Sequence, residues 1–500
     1  MKKHLYRGIV VMLTALVLTA VGGSAVSSPQ TARESAAVLY GLDAAKLGAA
    51  GDGKTDNTQI LKTIISENCA DGGTVYFPDG VYRIDGKLLI PEETELCFSP
   101  GASLLLGDDA VLTVNGTVTA GHSTVFSGGG RITGMGKIPV GDPCWFGAKG
   151  DGKTDDTQAF QKTIDLFREI LVPYSGEGYV ISNLKISRQY TFFHGESPER
   201  KAKLVATSGT ENLITICASN IDVQYLSFEM GASPKGTCLF YDDSGAVGFE
   251  LCNARYIDAS DAWCVVRDAD HPTNLIVTSK FENFRCINGR GTAISVSDMW
   301  GFIFMSDMVL DYSGTAERHG IKVGFPGFKM KDNAGALITN VKVIGDPKGN
   351  AEGHGFQFHS SAAVWMREIS AENCSGCGID ISASWAYLLN SSIRNCNGTG
   401  VYATRCFTLQ IENTDIICPD NHSSDLNGIF FGNGSHNQIC NVRITGAGAN
   451  GVFIQGATNN TVCGLKADSC GGYGLLDYGA LTAVSGLSGE GNGKGLLGKR

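Results

Sequence analysis

The C-terminal third of the chain repeats a glycine followed by an apolar residue, any residue and a second apolar residue. The repeat starts at regularly spaced glycines, of which the last two lose the full alternation: Gly378, Gly400, Gly428, Gly451, Gly474 and Gly495. The intervals are 22, 28, 23, 23 and 21 residues, and the longest contains a polar loop at 419–425. Short strands turned by small residues at a regular interval are typical of solenoids. We therefore predict an all-β parallel β-helix, continued upstream more loosely at Gly291, Gly320 and Gly355.

A second repeat lies near the N-terminus. GAAGDGKTDNT starts at position 48 and GAKGDGKTDDT at position 147, an offset of 99 residues. Each copy is followed by residues with one apolar face at helical spacing. Asp56 or Asn57 in the first copy, and Asp155 or Asp156 in the second, are suitable N-caps. We predict a turn and a short capping helix in each copy.

Both copies also match the phosphate-binding loop pattern. That loop must follow a buried strand, but residues 140–143 have the composition of a turn. A calcium loop starting at Asp151 fails as well, because Lys153 and Lys162 stand where ligands are needed. We therefore predict no nucleotide partner.

The second copy, with its flanks, reads WFGAKGDGKTDDTQAF from position 145. This segment resembles the N-terminal signature of the pectate-lyase-like superfamily, which includes rhamnogalacturonase- and epimerase-like β-helix proteins and many phage tailspikes. The resemblance covers about forty residues at each copy. It implies a right-handed parallel β-helix whose open end is covered by this segment. It carries no catalytic residue.

The first residues have the order of a signal peptide. Three cations precede an apolar run from 9 to 21 and then small residues, which predicts cleavage near Ala25 and an exported protein. The run is too short for a confident membrane span. We expect a signal peptide at 1–25, a module at 26–142 and the main β-helix at 143–500.

The net charge argues against nucleic acid as a partner. Removal of the signal peptide takes the formal charge from −10 to −13. A local strip of basic residues would nevertheless attract an acidic glycan in spite of the negative net charge.

The 16 cysteines invite a disulfide interpretation in an exported protein. Cys374, Cys396 and Cys470, however, each stand four residues before a coil glycine, and Ala447 holds the same place before Gly451. We predict a buried stack of free thiols, although the ~4.8 Å between stacked coils does not exclude a coil-to-coil disulfide. Cys374 and Cys377 have redox or zinc spacing, but no second pair accompanies them.

Residues that alternate with the inward apolar positions should form one outer flank. We predict that this flank binds a polysaccharide, because sugar hydroxyls need polar partners and sugar rings stack on aromatic side chains. The candidate catalytic residues are Asp242, Arg267, Asp268, Asp270, Lys322, His359 and Asp380. The candidate substrate-binding residues are Ser295, His319, Gln357 and Tyr402, with Trp263, Trp300, Trp365 and Trp385 as further stacking candidates.

Two enzymatic mechanisms suit this flank. A hydrolase needs two carboxyl groups ~5 to 9.5 Å apart, best supplied by Asp242 or Asp243 with Asp268 or Asp270. A lyase needs a base and a cation that neutralises a uronate carboxylate. The basic candidates could fill those roles, and Ca²⁺, the one cofactor we consider, would have Asp268, Asp270 and Asp380 as ligands.

The polygalacturonases of the superfamily give a sharper test. Their motifs occur here only as fragments, at 242–243, 353–355 and 413–415, in the wrong order, and the last motif is missing. We interpret them as coincidence, which leaves lyase and hydrolase open. The alternative class is a non-catalytic glycan-binding or tailspike-like protein, which could form a homotrimer.

Overall fold

The computed structural model describes residues 41–499 except 70, 136, 234–235, 242–248, 261–264, 268–275, 298–301, 320 and 333–334. Side chains are not described at 240–241, 249–253, 256, 265–267, 276–278 and 297. The predicted signal peptide lies outside these residues. Among the described residues, no helix is long and apolar enough to cross a membrane.

The first part of the chain forms three small sheets and one helix. Its strands are β1 (Leu42–Asp43), β2 (Asp52–Asp56), β3 (Gly73–Phe77), β4 (Gly80–Ile84), β5 (Lys87–Ile90), β6 (Thr94–Phe98), β7 (Ala102–Leu106), β8 (Val111–Val114), β9 (Thr117–Thr119), β10 (Phe126–Gly128) and β11 (Arg131–Gly134). The sheet orders are β1-β3-β6-β9, β10-β7-β4-β2 and β11-β8-β5. Helix α1 (Thr58–Asn68) packs Leu61, Ile64 and Ile65 into the core.

The second part is one 34-stranded sheet that winds on itself. It begins with β12 (Val140–Gly141), a 3-10 helix (Pro143–Phe146), β13 (Asp151–Asp155), α2 (Thr157–Leu166), β14 (Glu169–Val172), β15 (Gly178–Ile181), β16 (Leu184–Ile186), β17 (Phe192–Gly195), β18 (Ala202–Ala206), β19 (Asn212–Ile216), β20 (Ile221–Gln224), β21 (Leu226–Glu229), β22 (Thr237–Tyr241), β23 (Phe249–Ser260), β24 (Val265–Arg267), β25 (Ile276–Ile287), β26 (Ile294–Ser297), β27 (Phe302–Asp311), α3 (Thr315–His319), β28 (Phe328–Lys331) and β29 (Gly335–Ile344). The two parts meet where Val125 N donates to Trp145 O, 3.1 Å away, and Phe126 stacks on Phe146.

The remaining strands complete the solenoid. They are β30 (Phe356–Arg367), β31 (Ser370–Glu372), β32 (Ile379–Leu389), β33 (Ser392–Arg394), β34 (Val401–Ala403), β35 (Thr408–Glu412), β36 (Asp415–Ile417), β37 (Ile429–Phe431), β38 (Gln438–Cys440), β39 (Arg443–Thr445), β40 (Val452–Ile454), β41 (Thr461–Cys463), β42 (Lys466–Asp468), β43 (Tyr473–Asp477), β44 (Ala483–Ser485) and β45 (Gly495–Lys499). Each pairs in parallel with a strand of the next coil, so the predicted all-β parallel β-helix is confirmed.

Three walls surround the core. The groove wall contains β26, β28, the first residues of β30 and β32, then β34, β37, β40 and β43. The second wall contains the last residues of β30 and β32, then β35, β38, β41 and β44. The third contains β31, β33, β36, β39 and β42. Phe356, Ile379 and Val401 pair in register on the groove wall and point into the core, where each is at most 1% exposed.

The coil glycines superpose down the axis. A Cβ on Gly378 would lie 2.8 Å from Gly400 O, and one on Gly400 would lie 2.6 Å from Gly428 O. The same close approach continues from Gly428 to Gly451 and on to Gly474. A side chain at these positions would collide with the next coil, which is why glycine stands there. Upstream, the predicted coil glycine Gly355 follows the same rule, because a Cβ on it would lie 2.6 Å from Gly378 O. The coil before it starts at Gly327, which approaches Gly355 O; the predicted Gly320 lies outside the described residues.

In both copies the predicted capping helix is present, but the Gly-Asp-Gly-Lys-Thr-Asp segment before it, predicted as a turn, forms a short bulged strand, β2 or β13, with a tight turn at its first aspartate. The Asp52 carboxylate accepts hydrogen bonds from Lys54 N and Thr55 N, and Asp151 does the same in the second copy. These backbone hydrogen bonds lower the pKa of Asp52 to about 2. Two backbone amides of each loop are thus bonded within the loop itself.

In the first copy, the two candidate N-cap residues have different structural roles. Asn57 occupies the cap position, but its side chain bonds back to Ala50, while Asp56 Oδ1 accepts from Thr58 N at 2.9 Å. In the second copy, the Asp156 side chain likewise bonds back to Lys149 N, while Asp155 Oδ1 accepts from Thr157 N.

The predicted thiol stack is present and larger than expected. Cys374, Cys396, Cys418 and Cys470 are all buried and free. Burial raises the pKa of Cys418 to about 12 and that of Cys470 to about 11. The spacing rule missed Cys418 because the long loop at 419–425 separates it from its coil glycine. A coil-to-coil disulfide does occur, but on the second wall, where Cys440 pairs with Cys463.

Candidate functional site

A line of outward side chains crosses the groove wall. Ser295, Lys329, Gln357, Asp380 and Tyr402 pair in register on successive coils. Four of the predicted site residues therefore fall in one line, because every strand of this wall starts at the same point of its coil. A second line, two residues further along each strand, places Lys331 beside His359.

Asp380 holds the centre of the site. Its Oδ2 accepts hydrogen bonds from His359 Nε2 at 2.9 Å and from Gln357 Nε2 at 3.2 Å. Burial acts to raise the pKa of Asp380, but the bonds from His359 and Gln357 outweigh it, so the pKa is lowered. The same hydrogen bond raises the pKa of His359 above its ordinary value, against partial burial. Since Nε2 donates to Asp380, Nδ1 is the basic nitrogen of neutral His359.

A second histidine lies beside this pair. His354 Nδ1 accepts from Cys377 N at 2.9 Å, which leaves Nε2 to carry the proton. That Nε2 lies 4.0 Å from Asp380 Oδ2 and 3.7 Å from Glu352 Oε2. Burial lowers the pKa of His354, in spite of the two carboxylates. His354 therefore lies as a neutral imidazole behind the His359 and Asp380 pair, with its Nε2 facing both carboxylates.

Of these residues, His359 borders an open groove with a volume of about 790 Å³. Its lining is Lys331, His359, Ser360, Ser382, Tyr402, Thr404, Arg405, Phe430, Gly432, Asn433, Gln455 and Gly456. The lining contains two permanent cations and no carboxylate. Lys331 contacts Asp332 at 3.5 Å, and Arg405 is exposed. The lining side chains therefore carry positive charge in a chain of net negative charge, with Asp332 and Asp380 directly beside them.

The other predicted site residues do not join this cluster. The coil starts at Gly327, so Lys322 lies in the loop before β28. The groove-wall position predicted for Lys322 was therefore wrong. His319 ends α3 and accepts from Arg290 Nε at 3.2 Å. Asp242, Asp268 and Asp270, and the side chain of Arg267, lie outside the described residues.

Sequence reasoning missed several residues of the groove. Lys329 and Lys331 would have been found if the coil had been started at Gly327, whose following residues alternate apolar and polar. Arg405 follows Thr404 at a corner of the coil, where strand alternation gives no information. His354 belongs to the Gly-His-Gly fragment interpreted as coincidence, whereas Asn413 of another fragment lies at a corner, bonded to Asn390 and Asn441.

Of the four predicted tryptophan platforms, the two that the structure describes are not in the groove. Trp365 and Trp385 lie on the second wall, with 37% and 53% of their surface exposed. The side chains of Trp263 and Trp300 lie outside the described residues. Within the described ranges, no group of three or more His, Cys, Asp and Glu side chains is placed to hold a metal ion. The Ca²⁺ site therefore stays a prediction.

Parallel coils, coil-start glycines and a capping helix define the class as a parallel β-helix. The model for the right-handed β-helix region matches residues 377–486. The chain belongs to the rhamnogalacturonase A/epimerase, pectate lyase-like family, whose model matches 42–127 and 145–402.

Solved structures similar to this chain include a Geobacillus virus E2 protein, ORF18 (14% identity, 72% of this chain and 59% of that one, TM-score 0.34). Tailspike protein 3 of bacteriophage CBA120 has 10% identity, covers 96% of this chain and 62% of its own, and has a TM-score of 0.30. The catalytic unit of a GH87 α-1,3-glucanase from Streptomyces thermodiastaticus has 12% identity, covers 95% and 71%, and has a TM-score of 0.21. The chain spans less than two thirds of the length of the first two.

Proposed function

We propose that this chain is an exported polysaccharide lyase that cleaves an acidic, uronate-bearing polysaccharide in the groove beside His359. The observation that carries the proposal is the His359 and Asp380 pair at the edge of a groove lined by cations and no carboxylate. A basic groove attracts an acidic chain, and a histidine held by a carboxylate is suited to take a proton.

The residues can be assigned to the steps of a β-elimination. Lys331, which pairs in register with His359, would neutralise the uronate carboxylate, which makes the adjacent carbon more acidic. Arg405 would hold the acidic chain further along the groove. His359 Nδ1 takes the proton from that carbon, while Asp380 stabilises the imidazolium through Nε2. The electron pair forms a carbon–carbon double bond, the glycosidic carbon–oxygen bond breaks, and the leaving oxygen takes a proton from solvent.

Hydrolysis is less well supported by the described residues. A hydrolase needs two carboxyl groups on either side of the bond it cleaves. Asp380 already accepts two hydrogen bonds, and Glu352 is separated from it by His354. The carboxylates we predicted for hydrolysis at 242 and 268–270 lie outside the described residues.

The proposal is tested by incubating the purified protein with a panel of plant, algal and bacterial polysaccharides. Unsaturated uronate absorbance reports elimination, and reducing ends report any cleavage. Parallel reactions with added Ca²⁺ and with a chelator test the predicted cofactor. We expect both signals from at least one uronate polymer, and their loss in His359→Ala.

His122→Gln is the matched control. His122 also pairs with an aspartate, Asp142, but at the junction of the two parts of the chain, so this variant should keep its activity. Reducing ends without unsaturated product would replace the lyase by a hydrolase. Binding without any product would leave the glycan-binding alternative, for which sedimentation would test the predicted homotrimer.

A further inference from the structure

A patch of large apolar side chains is exposed on the second wall, away from the groove. Upstream of β30 this wall continues through the first residues of β29 and of β27, and its outward positions form two lines across these coils. Five large side chains in the two lines have 36% to 53% of their surface exposed, and a sixth is half-buried: Phe302, Phe304, Leu337, Trp365 and Trp385, with Tyr387. We call these six residues the second-wall patch.

Three rings of the patch pack against one another. The centroids of Trp365 and Tyr387 lie 6.1 Å apart with the planes at 1°, and those of Phe302 and Trp365 lie 5.9 Å apart with the planes at 28°. Gly335 leaves room for this arrangement, because a Cβ there would lie 2.7 Å from Phe302 Cε1. Rings ordered in advance lose little side-chain freedom when a partner binds. The faces in these contacts are not free for a sugar ring, which favours a protein partner.

The area of the patch suits the centre of an interface. At about 200 Å² for each large side chain, the five exposed members leave roughly 400 Å² of apolar surface in water. Contiguous apolar patches of about 300 to 600 Å² on a monomer are often functional. A stable interface buries about 800 Å² on each partner, with an apolar centre and a polar rim. The second-wall patch thus supplies about half of the area that a stable dimer needs.

The charges around the patch permit a second copy to approach. The two lines carry no charged side chain at the positions that the structure describes on these coils. On the coil before the patch, Lys280 pairs with Glu282 at 2.6 Å, and at the edge of the patch Arg367 pairs with Glu368 at 3.0 Å. An acidic rim would repel another chain of net negative charge, whereas charges that are paired within each copy do not.

We propose that the second-wall patch is the interface of a homodimer, in which the patches of two copies of this chain pack against each other across a twofold axis. A patch that meets itself gives a closed dimer, whereas a ring of three copies needs two different complementary surfaces. Other exposed apolar side chains, such as Leu89 on β5 and Leu481 after β43, lie far from the patch. The groove lies on another wall, so this inference goes beyond the proposed function and does not depend on it.

Sedimentation velocity of the purified protein, over about a hundredfold range of concentration, tests the proposal. We expect a species of twice the mass of the chain that dissociates on dilution. Trp385→Lys places a charge in the patch and should raise the dimer dissociation constant at least about thirtyfold, equivalent to the ~2 kcal/mol of an interface hot spot. Added salt should not weaken the dimer, because an apolar contact is not screened.

Two further variants separate association from folding. Leu337→Lys changes a second exposed position of the patch and should also give a monomer, so the test does not depend on the folding of Trp385→Lys alone. Leu89→Lys is the matched control, since Leu89 is an apolar side chain on a strand, 55% exposed, in the first part of the chain. This control should remain a dimer. Circular dichroism should show the same β-sheet content in all three variants.

The possible results divide clearly. A monomer at every concentration, a trimer, or a dimer that both patch variants leave unchanged would overturn the proposal, as would equal dissociation in Leu89→Lys. A monomer in which Trp385→Lys weakens polysaccharide binding would also overturn it and assign the patch to a glycan. A dimer that the two patch variants dissociate would support the proposal whether or not the protein cleaves a polysaccharide.

Discussion

Replacement of Lys331 by alanine should weaken binding of an acidic oligosaccharide by about fivefold. Two unit charges 4 Å apart interact by ~1 kcal/mol in water and by ~4 kcal/mol at the lower dielectric constant of a protein surface. The Lys331 side chain is 56% exposed, so the value for water applies. A loss of ~1 kcal/mol corresponds to about fivefold in the dissociation constant.

A double variant that replaces both Lys331 and Arg405 by alanine gives a stricter test of this prediction. Lys331 and Arg405 lie three coil steps, or ~14 Å, apart, so their effects should add to about 25-fold. Titrations at 20 and 200 mM salt should show that the wild type loses more affinity with salt than the double variant does, because salt screens the removed charges. Lys466→Ala is the control, since Lys466 also pairs with a nearby aspartate, Asp468, but lies on the third wall. Equal losses in Lys331→Ala and Lys466→Ala would refute a specific role for the groove cation.

Three further predictions concern the site and the fold. Asp380→Asn removes the negative charge whose hydrogen bond raises the pKa of His359, while the amide oxygen still accepts from Nε2. Because neutral His359 is the base, the acidic limb of the rate profile should move to lower pH, and an unmoved limb would contradict the assignment. Gly378→Ala would place a Cβ 2.5 Å from Ile393 Cγ2, so urea unfolding should show a loss of ~1 to 3 kcal/mol. Cys396→Ser places a hydroxyl in the buried thiol stack and should cost ~1 to 3 kcal/mol, whereas wild-type stability in this variant would argue against burial.

Most of the fold could be predicted from the sequence, because a β-helix repeats the same steric requirement on each coil. Gly378 and Gly400 are needed where one backbone approaches the next, and that requirement appears as a fixed interval. The prediction failed where coil length varies. Loops of different length separate the upstream coils, so glycine spacing alone did not reveal Gly327 as a coil start.

The site was harder to predict, because contacts between coils depend on the register and not on distance in sequence. The alternation of β30 and β32 gave Gln357, His359 and Asp380 correctly as outward neighbours. It gave no information about corners, so Arg405 was missed. The alternation also gave no information about His354, because this residue lies before β30 and approaches Asp380 from outside the alternating pattern.

The stacked glycines make the solenoid separable into exchangeable layers. Each coil contacts mainly the coils above and below it, and the shared glycine fixes its position along the axis. The coils that carry the groove residues Phe430 and Gln455 could therefore be exchanged for others with the same starting glycine, while His359 and Asp380 stay in place. In such a chain, preference for a polymer and the chemistry of cleavage would be free to change independently.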